Sequence, residues 1–390
     1  MIKLQRLKLS LILFIVFIIF ITYVCLRWRI FNEMLILERV FYAIKLDHTS
    51  STTPPLILTW TKFFSQSWAQ RIENDINDCS YQCIITDNKE QLSEAVAVLF
   101  HIRDLETLPK LRNSKQLFVF VLHESPLYTF NYLDFVAEDF FNVTMTYRRD
   151  SDIYIPYGMI KKITNLTPKE QIWDWNEIAS GKVQPILQLV SNCQTKSKRE
   201  FYVEQLRTYI NITQYGRCNN SSCDEECEIK EAARHRFYLA FENSICRDYI
   251  TEKLFKCFLR LLIPVVLKKS IYEDILPPGS FIAADDFKSP RELAEYLHYL
   301  LNNNTAYLSY LKWTKYYQKT FNVSSYCELC KYLHSDIAKP RIITDIKKWW
   351  FQGCIKDYAI DLLKKAKSII IIAKILFTTL GDKKSKSDIN

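Results

Sequence analysis

The sequence lacks any recognisable nucleic-acid-binding motif, and glycine is scarce, with six residues among 390. The net charge of +9 is spread along the chain and includes a basic tail, so it argues only weakly for nucleic acid as a partner. Few glycines leave few positions at which the backbone could approach a ligand closely. Nucleic acid is therefore not an expected partner.

A small-residue cleavage site is also missing after the apolar run from Leu9 to Leu26. This run carries no charge and is long enough to span a bilayer, whereas a cleavable signal peptide has a shorter apolar region. Three basic residues precede the run, and two arginines with Glu33 follow it, which favours a cytoplasmic N-terminus. We predict a cytoplasmic tail (1–8), a signal-anchor transmembrane helix (9–26) and a luminal stem (27–53).

Several Asn-X-Ser/Thr sequons agree with a luminal location. A chain rich in Asn, Ser and Thr also generates sequons by chance, so we expect only some of them to be used. Asn219 and Asn220 are adjacent and cannot both carry a glycan comfortably. The N-glycosylation candidates are Asn142, Asn165, Asn211, Asn220, Asn303 and Asn322.

Strand-like apolar runs alternate with helical or polar stretches between about Pro54 and Asp361. Such alternation is typical of an α/β fold. A first series consists of PLILTW, EAVAVLF and LFVFVL, and a second consists of PILQLVS, FYLAF, IPVVL and SFIAA. The second series is separated by predicted helices at Glu200 to Tyr209, Ile250 to Leu262 and Pro290 to Asn302. The two series predict two domains, 54–175 and 176–361, followed by a C-terminal extension (362–390) with a basic tail.

The stretch FYLAFENSICRDYITEKL, Phe237 to Leu254, runs from a buried strand through a polar turn into a helix start. Polar side chains at the end of such a strand face a crevice. Glu252 and Lys253 fall in the first turn of the helix, near its free N–H groups. A carboxylate can accept both ribose hydroxyls, and an ammonium can neutralise a diphosphate. This arrangement suits a sugar nucleotide.

The same stretch resembles the donor-binding motif of the α1,3/4-fucosyltransferases, glycosyltransferase family 10, which reads roughly FxLxFENSxxxDYVTEKL. The elements FENS, DY and TEKL are all present. Three further segments are similar to the family pattern: TYRRDSDIYIPYG (Thr146 to Gly158), LFVFVLHESP (Leu117 to Pro126) and LQLVSNCQTKSKREFYV (Leu187 to Val203). The resemblance covers roughly Pro54 to Cys354, looks most like the invertebrate α1,3-fucosyltransferases, and implies a GT-B fold in which two Rossmann-like domains face a cleft.

The resemblance implies an inverting transfer of L-fucose from GDP-β-L-fucose to N-acetylglucosamine of a glycan. The attacking hydroxyl must lose a proton, and Glu124 is the implied catalytic base. Arg199 and Lys253 are implied to stabilise the departing GDP, with Glu252 on the ribose. The implied donor pocket is completed by Asn192, Glu242, Asn243 and Tyr249. For Asn243 and Tyr249, strand-end capping and packing are the structural alternative.

Asp150 and Asp152 could together hold a divalent ion. Ion pairing with the preceding Arg148 and Arg149 is the favoured interpretation, because the family does not depend on such a metal site. The resemblance implies no required cofactor, with Mn²⁺ at most stimulatory. His123 is interpreted as an ordinary strand-end histidine, because strand alternation points it away from Glu124.

The chain has twelve cysteines, which suggests disulfides in a luminal protein. Zinc would need four thiolates and a reducing compartment, so disulfides are favoured over a metal. As in the family, an early cluster, Cys79 and Cys83, and a late one, Cys327 and Cys330, are expected to be cross-linked. Without Cys25 in the predicted span, an odd number remains, so one free thiol or an intermolecular bridge is expected, and the connectivity is open.

The resemblance further implies a single-pass type II protein of the Golgi membrane, with a homodimer possible in principle. The acceptor remains open between core N-glycan, lactosamine and LacdiNAc structures. The family's small residues are replaced by bulkier ones in KCFLRLLIPVVLKKS, Lys256 to Ser270. A catalytically impaired glycan-binding or scaffold protein of the same fold is therefore the alternative. The apolar segment Ser368 to Leu380 is expected to pack as a helix or strand or to contact a membrane.

Overall fold

A computed structural model describes residues 22, 23, 26–29, 34, 53–174, 182–321, 323, 325–335 and 342–366. Most of the predicted span (9–26), most of the predicted stem and all of the apolar segment 368–380 lie outside the described residues. Among the residues that are described, no helix is both long enough and apolar enough to cross a membrane.

The first half of the molecule is a six-stranded sheet in which every pairing is parallel. The strand order is β2-β1-β3-β4-β5-β6. Helix α1 (Trp68–Ile76) follows the first strand. The strands are β1 (Leu56–Thr59), β2 (Ile84–Thr86), β3 (Ala97–His101), β4 (Leu117–Leu122), β5 (Val143–Thr146) and β6 (Ile153–Tyr154).

Strand β4 shows why this sheet forms, because its side chains are buried on both faces. Leu117, Val119 and Val121 pack into one core. The alternating phenylalanines Phe118 and Phe120 pack into a separate core on the opposite face. A continuous apolar run is what a parallel sheet covered on both faces requires.

The second half is a five-stranded parallel sheet with the order β11-β10-β9-β7-β8. Its strands are β7 (Gln184–Leu189), β8 (Ile212–Tyr215), β9 (His235–Leu239), β10 (Ile263–Val266) and β11 (Ile282–Ala283). Its helices are α2 (Arg199–Arg207), α3 (Glu225–Arg234), α4 (Glu252–Leu259), α5 (Pro290–Asn302) and α6 (Asn304–Ser309). The predicted α/β class with two parallel sheets is therefore confirmed.

Numbered within each half, both sheets have the doubly wound order 2-1-3-4-5, and the first adds a sixth strand. In such sheets the strand order reverses between the first and third strands, and ligands bind beyond the carboxyl ends of the strands at that point. The expected crevices therefore lie beyond β1 and β3 in the first half and beyond β7 and β9 in the second.

The C-terminal part of the chain returns to the first half. Helix α7 (Ser325–Leu333) contributes Leu329 to one core of the first sheet. Helix α8 (Ile346–Phe351) contributes Trp350 to the other core of that sheet. The chain then enters the second half again, where Ala359 joins the core. The predicted domain 176–361 thus includes a stretch that packs on the first sheet.

Five disulfides join ten of the cysteines in the described part of the chain. Cys79–Cys327 and Cys83–Cys330 link the early and late clusters, as expected. The others are Cys193–Cys218, Cys223–Cys227 and Cys246–Cys354. Cys257 is the free thiol among the described cysteines, and it is buried in α4.

The sequons differ in exposure. Asn142 is only 2% exposed, and its Oδ1 accepts hydrogen bonds from the Phe118 N–H at 2.9 Å and from Arg112, so burial speaks against a glycan there. Asn303 is half-buried and caps α6. Three candidates, Asn165, Asn211 and Asn220, are exposed. Asn322 lies outside the described residues.

Candidate active site

Glu124 lies directly beyond the carboxyl end of β4, at the junction of the two halves. Its Oε1 accepts a hydrogen bond from the Ser125 N–H at 2.8 Å and another from the Tyr249 hydroxyl at 2.7 Å. Its Oε2 lies 3.6 Å from Nη1 of Arg103. The side chain keeps 22% of its surface exposed, so a reactant can reach it.

Tyr249 comes from the second half, yet its ring packs in the first. The ring centroids of Tyr147 and Tyr157 lie 5.1 Å and 6.3 Å from that of Tyr249. Burial, reinforced by Tyr157 and Glu124, raises the pKa of Tyr249 well above its usual value. The hydroxyl is therefore protonated and donates to Glu124.

Glu242 lies three residues beyond β9, the central strand of the second sheet. It is 1% exposed. Its Oε1 accepts from the Thr251 N–H at 2.9 Å and from the Thr251 hydroxyl at 2.8 Å. Its Oε2 lies 3.1 Å from Nζ of Lys253. Glu242 thus holds the start of helix α4, and its carboxylate is already occupied by protein partners.

Lys253 is the cation at this helix start. Its Nζ donates to the Thr251 hydroxyl at 2.9 Å and lies 3.3 Å from Oε1 of Glu252. Burial lowers the pKa of Lys253, but Glu242 and Glu252 outweigh that effect and the pKa is raised overall. Glu252 is 54% exposed. Of the two carboxylates, Glu252 is therefore the one available to an incoming ligand.

Arg199 opens helix α2 and is only 5% exposed. Its guanidinium donates to the Phe241 carbonyl and, at 3.3 Å, to the Asn192 carbonyl. Burial lowers the pKa of Arg199, partly offset by Glu242. Its Nε is buried and has no hydrogen-bond partner among the described residues. The side chain joins the loops beyond β7 and β9, at the crevice expected from the strand order.

Asn243 and Asn192 lie in these same two loops. The Asn243 Oδ1 is buried and lacks a hydrogen-bond partner in the described part of the chain. The Asn192 side chain donates to the Tyr128 hydroxyl of the first half at 3.0 Å. Buried polar atoms without partners are uncommon in folded proteins, and Asn243 Oδ1 and Arg199 Nε are two such atoms among the described residues.

Both carboxylates of the acidic turn after β5 have protein partners. Asp150 makes a paired contact with Arg148, at 2.8 Å and 2.7 Å, as favoured from the sequence. Asp152 accepts from the N–H and the hydroxyl of Thr144, both at 2.8 Å. Arg149 pairs instead with Asp248 across the junction, at 3.0 Å. Among the described residues, no cluster of three or more His, Cys, Asp or Glu could hold a metal ion.

His123 makes two structural contacts at the end of β4. Its Nε2 bonds the Ile155 carbonyl at 2.8 Å, and its own carbonyl accepts from the Tyr157 hydroxyl at 2.5 Å. Burial lowers the pKa of His123 to about 4. It is therefore neutral near pH 7, in agreement with the strand-end interpretation.

Several junction contacts have no signal in the sequence. The hydroxyls of Ser125 and Ser244 are fully buried and lie 2.7 Å apart, which joins the segment of Glu124 to the segment of Asn243. Within the first half, the approach of Arg103 to Glu124 also has no signal in the sequence. A cavity of about 490 Å³ also lies beyond β1 and β3 and is lined by residues that include Trp60 and Asp104. Local patterns could not indicate these pairs, because their members are far apart in the chain.

The bulky segment after TEKL requires one residue with a left-handed backbone conformation. Leu261 adopts a left-handed conformation, with φ of 52°, just past the end of helix α4. Glycine is the usual residue at this position of a helix end. The thiol of Cys257 donates to the Lys253 carbonyl. Lys253 itself still reaches Glu242, so the substitutions leave the start of the helix intact.

Comparison with known proteins gives concordant similarities over most of the chain. Residues 179–349 match the model described as glycosyltransferase family 10 (fucosyltransferase) C-term, and residues 52–158 match that described as fucosyltransferase, N-terminal. The α-(1,3)-fucosyltransferase C of Drosophila melanogaster is 36% identical over 337 residues, covering 76% of this chain and 78% of that protein.

The α-(1,3)-fucosyltransferase fut-1 of Caenorhabditis elegans is 34% identical over 335 residues, covering 80% of this chain and 74% of that protein. The 4-galactosyl-N-acetylglucosaminide 3-α-L-fucosyltransferase 9 of Mus musculus is 34% identical over 332 residues, covering 80% and 85%. A crystal structure of an α1,3-fucosyltransferase with GDP is 16% identical, covers 82% of this chain and 92% of that chain, and has a TM-score of 0.46.

Proposed function

The chain belongs to the fucosyltransferases of glycosyltransferase family 10, and on that basis we propose that it is an inverting α1,3-fucosyltransferase. It transfers L-fucose from GDP-β-L-fucose to a hydroxyl of N-acetylglucosamine in a glycan. The names of its relatives, among them a 4-galactosyl-N-acetylglucosaminide 3-α-L-fucosyltransferase, support this donor sugar, linkage and acceptor unit.

The observation that carries the proposal is the 2.7 Å contact between Glu124 and Tyr249. It brings a partly exposed carboxylate of the first half against the segment of the second half that carries the nucleotide-binding pattern. In the proposed reaction the acceptor oxygen bonds to the anomeric carbon while Glu124 takes the hydroxyl proton. The bond from that carbon to the diphosphate oxygen breaks, and GDP leaves with the electron pair. One such displacement turns the β-linked donor into an α-linked product.

Lys253 provides the positive charge that the departing GDP needs. Its raised pKa keeps it protonated, and its three oxygen partners fix its position. Arg199 organises the two loops of the same crevice through the Phe241 and Asn192 carbonyls, and its guanidinium adds a second positive charge for the departing diphosphate. The exposed carboxylate of Glu252 is suited to hydrogen-bond the ribose hydroxyls.

The cellular setting is part of the same proposal. We infer a type II Golgi membrane protein, anchored through residues 9–26, with its catalytic portion in the lumen. The five disulfides support an oxidising compartment, since disulfides are rare in cytosolic proteins. The exposed sequons support it as well.

The test is acceptor-dependent GDP release by the full chain in detergent, with GDP-fucose and a panel of core and antenna glycans. Wild type should release GDP with at least one glycan, and Glu124→Gln should lower kcat by a factor of 10² or more with GDP-fucose binding retained. Glu295→Gln is the matched control, because Glu295 is 61% exposed and forms a local ion pair with Arg291, four residues away on the same helix. It should behave as wild type.

Absence of release with every glycan, while GDP still binds, would contradict the transferase proposal. That result would favour the alternative of a glycan-binding or scaffold protein of the same fold. Retained turnover in Glu124→Gln would instead contradict the assignment of the base alone.

A further inference from the structure

The two oxygens of Glu124 have different surroundings. Oε1 accepts from both the Ser125 N–H and the Tyr249 hydroxyl. Oε2 lies 3.6 Å from Arg103, and no described residue donates a hydrogen bond to it at normal length. We propose that Tyr249 is a positioning residue for the base, whose hydroxyl occupies Oε1 so that Oε2 receives the acceptor proton. This inference rests on the proposed function and deepens it.

The backbone that precedes Tyr249 is attached to the first half or to segments packed against it. Before it, Cys246 forms a disulfide with Cys354, and the Arg247 N–H donates to the Gly353 carbonyl at 3.1 Å. Asp248 adopts a left-handed conformation, with φ of 57°, a costly state that persists where its surroundings enforce it. Its carboxylate accepts from the N–H and Nε of Arg149, at 3.1 Å and 3.0 Å.

The ring of Tyr249 is also confined. Tyr147 and Tyr157 pack against it at tilted and perpendicular angles, and Tyr249 is only 2% exposed. A ring held in this way has one direction for its hydroxyl, and that direction is Oε1 of Glu124. Packing alone would be served equally well by phenylalanine, which has no hydroxyl to donate.

Occupation of Oε1 determines the course of the proton. A carboxylate oxygen that already accepts two hydrogen bonds is a poor acceptor for a third donor, so the acceptor hydroxyl approaches Oε2. Oε2 is on the Arg103 side, so the glycan reaches the base from the loop beyond β3. Because Tyr249 belongs to the second half, the base is aligned only when the donor-binding segment is in place.

This role differs from the one implied by family resemblance, in which Tyr249 contacts the donor. Loss of a donor contact would weaken GDP-fucose binding and raise its KM. Loss of a base-positioning hydroxyl would leave donor binding unchanged and lower kcat. The two roles are therefore separated by which kinetic constant responds.

The test compares Tyr249→Phe with Tyr147→Phe in the full chain. Tyr147 lies in the same aromatic group, but its buried hydroxyl has no hydrogen-bond partner among the described residues, so its removal breaks no bond. We expect Tyr249→Phe to lower kcat about tenfold, the value of one charge-assisted hydrogen bond, with the KM and Kd of GDP-fucose unchanged. Tyr147→Phe should keep the wild-type kcat.

The pH profile supplies a second readout that packing would not change. A hydrogen bond donated to a carboxylate favours its ionised form, so the acid limb of kcat should lie at higher pH in Tyr249→Phe than in wild type. Arg103, Tyr147 and Tyr157, the other charged or titratable groups facing Glu124, are unchanged in this variant. Circular dichroism should show that both phenylalanine variants are folded.

An unchanged kcat together with a raised KM for GDP-fucose would overturn the positioning role and assign Tyr249 to the donor. If wild type itself shows no acceptor-dependent release, the proposed function fails and the positioning role fails with it. If wild type is active and Tyr249→Phe matches it in every constant, only the positioning role fails.

Discussion

Two glutamates of the segment Phe237 to Leu254 show how burial separates residues that look equivalent in the sequence. Glu242 is 1% exposed and bonds Thr251 and Lys253. Glu252 is 54% exposed. Both were candidates for donor binding. The Glu252 carboxylate contacts Lys253 at 3.3 Å but is largely exposed to an incoming ligand, whereas Glu242 is enclosed and supports the helix that carries Lys253.

We predict that Glu242→Gln lowers the free energy of unfolding by about 3 kcal/mol, because it removes the charge that compensates a largely buried ammonium. Glu252→Gln should change that free energy by no more than about 0.5 kcal/mol, as is usual for an exposed site. Urea unfolding of both variants beside wild type measures the difference. Equal effects of the two substitutions would contradict the assignment of Glu242 as internal support.

The lowered pKa of His123 predicts that the free energy of unfolding decreases in acid. Burial lowers its pKa from 6.5 to about 4, so between these values the unfolded chain binds a proton that the folded chain does not. The free energy of unfolding should therefore fall as the pH falls through this range, by about 1.4 kcal/mol per pH unit for a single group.

The check is the pH dependence of unfolding in His123→Gln, which keeps an N–H donor for Ile155 but does not titrate. Its unfolding free energy should fall less steeply between pH 6.5 and 4 than that of wild type. Some slope should remain, because burial also lowers the pKa of His101 and His235. His298→Gln, at an exposed position of α5, is the control, and a wild-type slope in His123→Gln would refute the explanation.

At the scale of elements, helix α5 was predicted from its sequence with both ends correct, because its signals are local. Ser289 caps it by accepting from the Glu292 N–H, with Pro290 at the first position. The Glu292 carboxylate accepts from the Lys288 N–H at 2.9 Å. By contrast, β8 and α3 were not predicted, since short half-exposed elements carry weak periodicity.

The loop beyond β7 depends on a glycine for close backbone packing. Gly216 has φ of +103°, and a Cβ there would lie 2.3 Å from the Val190 carbonyl oxygen. Val190 begins the loop that leads to Asn192. Although the chain has few glycines, one lies where the backbone after β8 meets the loop beyond β7.

We predict that Gly216→Ala lowers the free energy of unfolding by about 3 kcal/mol or more and weakens GDP-fucose binding. Gly279→Ala is the matched control, because Gly279 also has a positive φ, +71°, but nothing lies within 4 Å of a Cβ there. That substitution should cost only about 1 kcal/mol. Thermal unfolding and donor titration measure both variants, and similar losses would show that the Val190 contact is unimportant.

At the scale of the whole molecule, two disulfides between neighbouring cysteines close nearly the same loop. Cys79–Cys327 and Cys83–Cys330 have sequence separations of 248 and 247 residues. They attach helix α7 to the region after α1, and so bring the late part of the chain back to the first sheet. Each bridge alone would restrict the unfolded chain almost as much as both together.

We therefore predict that removal of either bridge by paired Cys→Ser substitutions costs much less than removal of both. Closing a loop of this length raises the free energy of unfolding by about 5 kcal/mol, because it lowers the entropy of the unfolded chain. Most of this stabilisation should be lost only in the quadruple variant. Chemical unfolding of the two double variants and the quadruple variant provides the measurement. Additive losses from the two bridges would contradict the shared-loop explanation.

The sequence by itself determined the α/β class, the family, the motif at 237–254 and the position of Glu124 after a buried strand, while the cross-linking of the two cysteine clusters was implied by the family resemblance. These are properties of contiguous motifs and apolar periodicity, which depend on neighbours in the chain. Only the tertiary structure decided that Tyr249 reaches Glu124, that Glu242 is internal, that Asn142 is buried, and that helices α7 and α8 return to the first sheet. Each of these depends on contacts between residues distant in the chain, and burial and hydrogen-bond partners are defined only once the two halves have packed together.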